Sequence, residues 1–282
     1  MRLGKILVPL AGTDSDQRAL RAGFDIAANY GAHVACLFVN RNPTEALPVA
    51  GEALTGQIAT ELVAAVDEAN KRQCAKARET FLHMLAQTGA EETGTPDSRE
   101  KVTAEFLETM GDPADRAAAA ARLADLVIFS VPDIAYDIEP TLMESGRPCL
   151  LVPGEAANTI GQRVIVAWDG GPEAARALTG ALPLLGEAES VTFITAQDRE
   201  FDELATAALQ SYIGSHGIKA TIKQVALGNT PVGEVILNQV KENQADLLVM
   251  GAYGHSRIRE LILGGATRYV IQNTDVAVLM VH

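Results

Sequence analysis

Hydrophobic positions along this chain fall into short continuous runs, separated by longer stretches in which they recur at helical spacing. The first run is Lys5-Ile6-Leu7-Val8-Pro9; it passes through Gly12-Thr13 into a stretch carrying Ala19, Leu20, Phe24 and Ile26. Near the middle the same phrase returns. Arg163-Val164-Ile165-Val166-Ala167-Trp168 passes through Asp169-Gly170-Gly171 into a stretch carrying Ala174, Leu178, Leu182 and Leu185. Apolar runs of this length, bounded by small turn residues, predict buried strands, and the 3-4 spacing after each predicts an amphipathic helix.

The echo continues to the end of each half. His33 to Val39 answers Ser190 to Ala196, and Val102 to Leu107 answers Ala220 to Leu227. Gly111-Asp112-Pro113 and Gly228-Asn229-Thr230-Pro231 each introduce a helix. Ala124-Asp125-Leu126-Val127-Ile128-Phe129 matches Ala245-Asp246-Leu247-Leu248-Val249-Met250, and Cys149 to Val152 matches Val278 to Val281 as the closing strand. Strands apolar on both faces and alternating with helices predict a parallel sheet covered on both sides. The expectation is two tandem α/β domains, residues 1–155 and 156–282, each a five-stranded, parallel, doubly wound, Rossmann-like layer. A linker is expected across Pro153 to Gln162.

Spacing shows where the copies diverge. Ile6 and Val164 lie 158 residues apart, but Leu126 and Leu247 only 121, so the first copy carries 37 extra residues between those strands. Much of the excess falls between Arg41 and Arg99, where Ile58, Leu62, Val66, Ala69, Phe81, Leu82 and Leu85 predict a long helix after a Pro43 to Pro48 lead-in. Leu150 and Leu279 lie 129 apart, so the second copy gains eight residues between its last two strands, where its glycines sit.

Composition changes this picture little. Of the 282 residues 48% are hydrophobic and 21% charged, as in ordinary globular proteins. The net charge of −13 argues against a nucleic-acid partner, which needs a basic face. Cys36, Cys74 and Cys149 have no metal-binding or disulfide spacing, and Cys36 and Cys149 sit in apolar runs as core residues. No apolar run reaches membrane-spanning length, and a strand begins too early for a signal peptide, so the expected setting is the cytoplasm, with no membrane partner.

Candidate chemistry concentrates after the fourth strand of the second half. Gly251-Ala252-Tyr253-Gly254 is followed, after nine residues, by Gly264-Gly265-Ala266-Thr267. Glycines at a strand's carboxyl end let backbone amides approach a ligand closely. A second glycine pair at a helix start presents free amides and the positive end of the helix dipole, which suits phosphate. His255, Arg257, Arg259 and Arg268 crowd the same stretch of an acidic protein. The plainer alternative is that Gly251 and Gly254 merely end the strand and the arginines form a solvated helix face.

The segment Gly251 to Thr267 resembles the G-x2-G-x9-G-[S/T] nucleotide motif of the universal stress protein family, and the resemblance extends over residues 163 to 282. It implies ATP, or ADP or AMP, as ligand of the second domain. It implies the carboxylate of Asp169 near the nucleotide, with Ala167 and Trp168 before it and Ala196 at the tip of the second strand. Met250, Gly251, Gly254, His255, Gly264, Gly265, Ala266 and Thr267 complete the implied site. No metal site of the protein's own is implied, though Asp169 is open to a magnesium ion carried by the nucleotide. Trp168 is equally readable as a packed core or interface residue. One departure stands out: Gly265 replaces the hydroxyl residue of the motif, so either Thr267 or a backbone amide must serve in its place.

The first half lacks these features. Ala11 stands where the resemblance expects Asp, and Ser130-Val131-Pro132-Asp133 has no glycine following before Gly146. Asp14 and Asp16 are expected to cap and start the next helix. This domain reads as a degenerate partner. The resemblance also implies pairing through the last strands, giving an internal pseudo-dimer and a homodimer of such chains, and leaves a protein partner unnamed. No nucleophile and base are placed together by the sequence, so no catalytic residue is nominated. The expectation is therefore a nucleotide-binding stress-response or regulatory protein. The rival readings are a slow ATPase or other nucleotide-dependent enzyme, and an interaction scaffold with no ligand.

Overall fold

The computed structural model describes residues 3–43, 56–95, 101–131, 137–154, 159–196, 203–254 and 265–282. It divides into two compact units, Leu3–Ser145 and Gly146–His282.

In the first unit the elements run β1 (Lys5–Leu10), α1 (Asp16–Tyr30), β2 (His33–Asn40), α2 (Gly56–Thr88), β3 (Glu91–Glu92), β4 (Thr103–Met110), α3 (Pro113–Ala121), β5 (Leu126–Val131) and α4 (Glu139–Glu144). The strands lie in the order β3-β4-β2-β1-β5, all parallel, with Lys5 opposite His33 and His33 opposite Thr103. Strands β1 and β5 are buried almost throughout, which is why they read as unbroken apolar runs rather than alternating ones. Helix α1 turns Ala19, Leu20, Gly23, Phe24 and Ala27 inward and ends at Gly31, whose φ of 61° suits a residue without a side chain.

The long helix expected between Arg41 and Arg99 is α2, 33 residues of it; the Pro43 to Pro48 lead-in lies outside the described residues beyond Pro43. Few of its positions are buried: Asn70, Ala77, Phe81 and Met84. Phe81 meets Phe106 of β4 at 5.7 Å between ring centroids, and Arg78 lies over the same ring at 5.2 Å. The helix backbone also lies on the β1–α1 turn. A Cβ on Gly12 would stand 2.6 Å from Gln73 Cα, and Gly12 has φ of 71°.

In the second unit the elements are β6 (Cys149–Pro153), β7 (Arg163–Ala167), α5 (Pro172–Gly186), β8 (Ser190–Ala196), α6 (Glu203–Ser215), β9 (Ala220–Val225), α7 (Val232–Glu242), β10 (Leu247–Gly251), α8 (Gly265–Asn273) and β11 (Ala277–Val281). The strand order is β6-β11-β10-β7-β8-β9. All neighbours are parallel except β6, which runs antiparallel to β11 with Leu150 opposite Leu279. Strand β6, last of the first sequence repeat, thus lies in the compact unit of the second. The chain moves outward from β7 through β8 to β9 and then returns to β10 on the other side, so strand order reverses between β7 and β10. Ligands of open α/β sheets bind at the carboxyl ends of strands beside such a reversal.

Both repeats fasten their first strand in the same way. Asp125 Oδ2 accepts the Gly4 and Lys5 N–H groups at 2.7 and 3.0 Å. Asp246 Oδ1 accepts from Gly161 and Arg163 at 2.9 and 3.1 Å, and Oδ2 accepts from Gln162 at 3.1 Å. The aspartate of each Ala-Asp-Leu triplet therefore staples the entering chain to the fourth strand of its copy. Asp246 is 6% exposed, so its bonds are poorly replaced by water. Hydrogen bonds to a charged group contribute about 1.5–3 kcal/mol. Asp246→Ala is accordingly expected to lower the stability of the second unit by about 2–4 kcal/mol. The exposed Asp125→Ala should cost the first unit less. Urea unfolding followed by the fluorescence of Trp168, the single tryptophan, isolates the second unit; equal midpoints for Asp246→Ala and wild type would contradict the role given to the staple.

Gly12→Ala carries a second expectation. Left-handed backbone alone costs a non-glycine residue about 1–2 kcal/mol, and the added Cβ would also displace α2. Hydrogen exchange should show α2 amides losing protection, with those of α1 changed less.

Candidate functional site

The carboxyl ends of β7, β8, β9 and β10 open into a cavity of about 720 Å³. Ala167, Trp168 and Asp169 come from the end of β7, Ala196 from the tip of β8, and Met250, Gly251 and Gly254 from β10 and its turn. Gly265, Ala266 and Thr267 come from the first turn of α8. The structure thus brings together the candidate residues that it describes. His255 and Gly264, like Arg257 and Arg259, lie outside the described residues, and Arg268 is exposed on α8.

Much of the wall was not nominated from the sequence. Ile194 and Thr195 on β8, Val225 and Leu227 at and beyond the end of β9, and the Pro231 to Ile236 start of α7 make one side largely apolar. Glu173, Ala174 and Tyr253 complete the other. The Gly228-Asn229-Thr230-Pro231 phrase was a usable signal for α7, since a helix start after a strand's carboxyl end faces the same crevice. The apolar residues carried no signal that separates a cavity wall from an ordinary core.

Close approach explains the glycines. A Cβ on Gly251 would stand 2.7 Å from the Ala174 amide nitrogen and 2.8 Å from Glu173 Cβ. A Cβ on Gly254 would stand 2.8 Å from Glu173 Oε2. The turn after β10 therefore rests against the first turn of α5. Gly265 differs: no described atom lies within 4 Å of its would-be Cβ, so sterics do not demand glycine there. Between the two glycines Tyr253 has φ of 60°, a left-handed conformation uncommon for a bulky residue and typical of ligand-holding turns.

Several bonds hold this turn in place. The Ala252 N–H donates to Val281 O at 2.9 Å, and His282 Nδ1 lies 3.1 Å from Ala252 O. The Tyr253 and His282 rings meet edge to face at 6.4 Å. The Tyr253 N–H donates to Thr267 Oγ1 at 3.4 Å. Thr267 is 3% exposed. Its oxygen is thus engaged as an acceptor, and its hydroxyl proton can point elsewhere.

Asp169 ends β7 and turns back on its own loop, Oδ1 accepting the Gly171 N–H at 2.8 Å. Trp168 is half-buried. Its ring meets the fully buried Phe193 at 6.5 Å, nearly edge-on, while it lines the cavity. Glu173 Oε1 pairs with Arg176 Nη2 at 2.8 Å; the glutamate side chain is 16% exposed and the arginine 48%.

At the equivalent turn of the first unit the amides are already engaged. Asp16 Oδ1 accepts the Ala11 N–H at 2.9 Å and Oδ2 accepts the Gly12 N–H at 2.8 Å, with Asp16 itself 2% exposed. Asp16 does start α1, but it closes the turn behind it rather than capping the helix ahead. Asp14, too, is no cap: it pairs with Lys76 of α2 at 2.7 Å, which holds its carboxyl below the usual range. Helix α2 lies over Gly12. Residues 132–136, where the missing glycines were noted, lie outside the described residues past Val131.

Among the described residues no group of three or more His, Cys, Asp or Glu side chains is placed to hold a metal ion. None of the described helices is long and apolar enough to cross a membrane.

Comparison with known proteins places this architecture. The model of the "Universal stress protein family" matches residues 3–131 and again residues 161–282. Among curated proteins, the universal stress protein Slr1230 of Synechocystis is 28% identical over 162 residues, 54% of this chain. The match spans 52% of that protein, about half its length. Among solved structures, a universal stress protein from Archaeoglobus fulgidus superposes with a TM-score of 0.69 at 18% identity, covering 99% of this chain and 96% of the other. A putative universal stress protein from Pseudomonas aeruginosa gives 0.57 at 15% identity, covering 99% and 93%. Two family matches in tandem, on two α/β units of mostly parallel sheet, establish that the chain belongs to the universal stress protein family.

Proposed function

We propose that the protein is a nucleotide-binding regulatory or stress-response protein that holds one adenine nucleotide, in the cavity of its second unit. The observation that carries this reading is the meeting of two turns at the strand-order reversal. Gly251, Gly254 and the first turn of α8 line the same cavity, whose opposite side is apolar. With the Ala252 and Tyr253 amides bonded within the protein, the backbone offered to a ligand is that of Gly254 and of the start of α8. An adenine ring is flat and weakly polar, and suits the side formed by Ala167, Ile194, Ala196, Val225 and Ile236. Phosphates suit the amides of Gly254, Gly265 and Ala266, with the dipole of α8 behind them. Asp169, at the β7 end, faces the ribose and phosphates, or a magnesium ion that the phosphates carry.

The first unit is a ligand-free partner in this reading. The amides of its β1–α1 turn are taken by Asp16, and α2 lies against Gly12 of that turn.

Titration calorimetry with ATP, ADP and AMP tests the proposal. One nucleotide per chain is expected. Gly254→Val should abolish binding, because its side chain would displace Glu173 and close the turn. If wild type takes up no adenine nucleotide at millimolar concentration, the scaffold reading replaces this one. Steady turnover of bound ATP that disappears in Asp169→Asn would favour the enzyme reading instead.

Gly265→Ser supplies an independent test. Open space surrounds that position, so the serine should be tolerated and restore the hydroxyl that the motif otherwise carries. A hydrogen bond to a charged group is worth about 1.5–3 kcal/mol, so phosphate-bearing ligands should bind about ten- to a hundredfold more tightly. An unchanged dissociation constant would place the phosphates away from α8.

A further inference from the structure

Resting on the nucleotide reading above, we infer that Glu173 is a specificity-determining residue of the cavity: it ranks adenine nucleotides by the charge of their phosphate tail, disfavouring the triphosphate. The glutamate stands over both motif glycines. Its Cβ and main chain fill the space above Gly251, and its Oε2 lies 2.8 Å from where a Gly254 side chain would begin. Glu173 lines the cavity beside Gly254, whose amide the nucleotide reading gives to phosphate, so a formal negative charge sits at the phosphate end of that reading.

The charge is only partly compensated. Arg176 engages Oε1 at 2.8 Å, leaving Oε2 toward Gly254. The arginine is half-exposed and therefore screened by solvent, whereas the glutamate side chain is 16% exposed. A charge held this way repels an approaching anion more strongly than a surface carboxylate would. The repulsion grows with the number of phosphate charges that reach the turn. Adenosine, which brings none, is indifferent to it.

A different account is available for the same residue: an acidic side chain in the first turn of α5 favours that helix through its dipole. The two accounts separate in their ligand dependence. A helix-stabilising role shifts every ligand alike, while charge selection produces a graded series.

The experiment measures dissociation constants of adenosine, AMP, ADP and ATP for wild type, Glu173→Gln and Arg176→Gln, in magnesium-free buffer with chelator. Glu173→Gln is expected to leave adenosine within about twofold and to tighten ATP about tenfold or more, with AMP and ADP between, as Coulomb repulsion at a partly buried site requires. Arg176→Gln, which leaves the carboxylate uncompensated, should move the series the opposite way. Added salt should shrink both effects for ATP and leave adenosine unchanged. Equal shifts for all four ligands, or none, would overturn the role of Glu173 while leaving nucleotide binding standing. Absence of binding by wild type to all four would overturn the nucleotide reading and this inference with it.

Discussion

The candidate site depends on one steric constraint, the approach of the β10 end to the first turn of α5. Any side chain on Gly251 would overlap the Ala174 amide, and any on Gly254 would overlap the Glu173 carboxylate. With glycine at both positions the turn lies against the start of α5, and both glycines line the cavity. Other contacts then fix it from behind. The Ala252 N–H bonds to β11, His282 meets the Ala252 carbonyl, and Thr267 accepts the Tyr253 amide. Two of the three bonds come from the adjacent Val281 and His282 and the third from Thr267 of α8, so the left-handed Tyr253 is held by its surroundings rather than by its own preference.

Both repeats share a scaffold and differ in what occupies the turn after their first strand. The shared part is the aspartate staple: Asp125 and Asp246 sit at equivalent positions and take amides from the start of β1 and β7. The difference lies at Ala11 and Asp169. Where the second unit ends its strand on a carboxylate, the first ends on alanine, and a carboxylate from the following helix, Asp16, turns back onto the free amides. In the second unit the counterpart turn is bonded by its own carboxylate too, the Gly171 N–H donating to Asp169 Oδ1. In the first, the long helix α2 lies against Gly12 of the same turn.

What could be read from the residues alone follows from what each residue's neighbours are. Strands such as β1, β5 and β10 are buried on both faces, so their apolar runs announce them without ambiguity. The glycine turn was legible because the close approach of the Glu173–Ala174 backbone admits only glycine at position 251. The apolar side of the cavity was not. Val225, Leu227 and Ile236 are the residues a core would use, and only the gap in front of them makes them a wall. Asp16 escaped for a related reason: a carboxylate just before a helix reads as a cap whether it faces forward or back.

Glu173 shows the same limit from the other direction. By position it is an ordinary first-turn acid, following Pro172 at the start of α5, and sequence position alone assigns it to the helix dipole. Its placement against Gly254 comes from the tertiary approach of two segments some eighty residues apart, which no local pattern encodes. The glycines that let the turn come close also determine which charge it comes close to. Gly254, which bounds the turn, and Glu173, whose carboxylate lies beside it, are therefore brought together by a single contact, and a change at either one alters both the geometry and the electrostatics of the cavity.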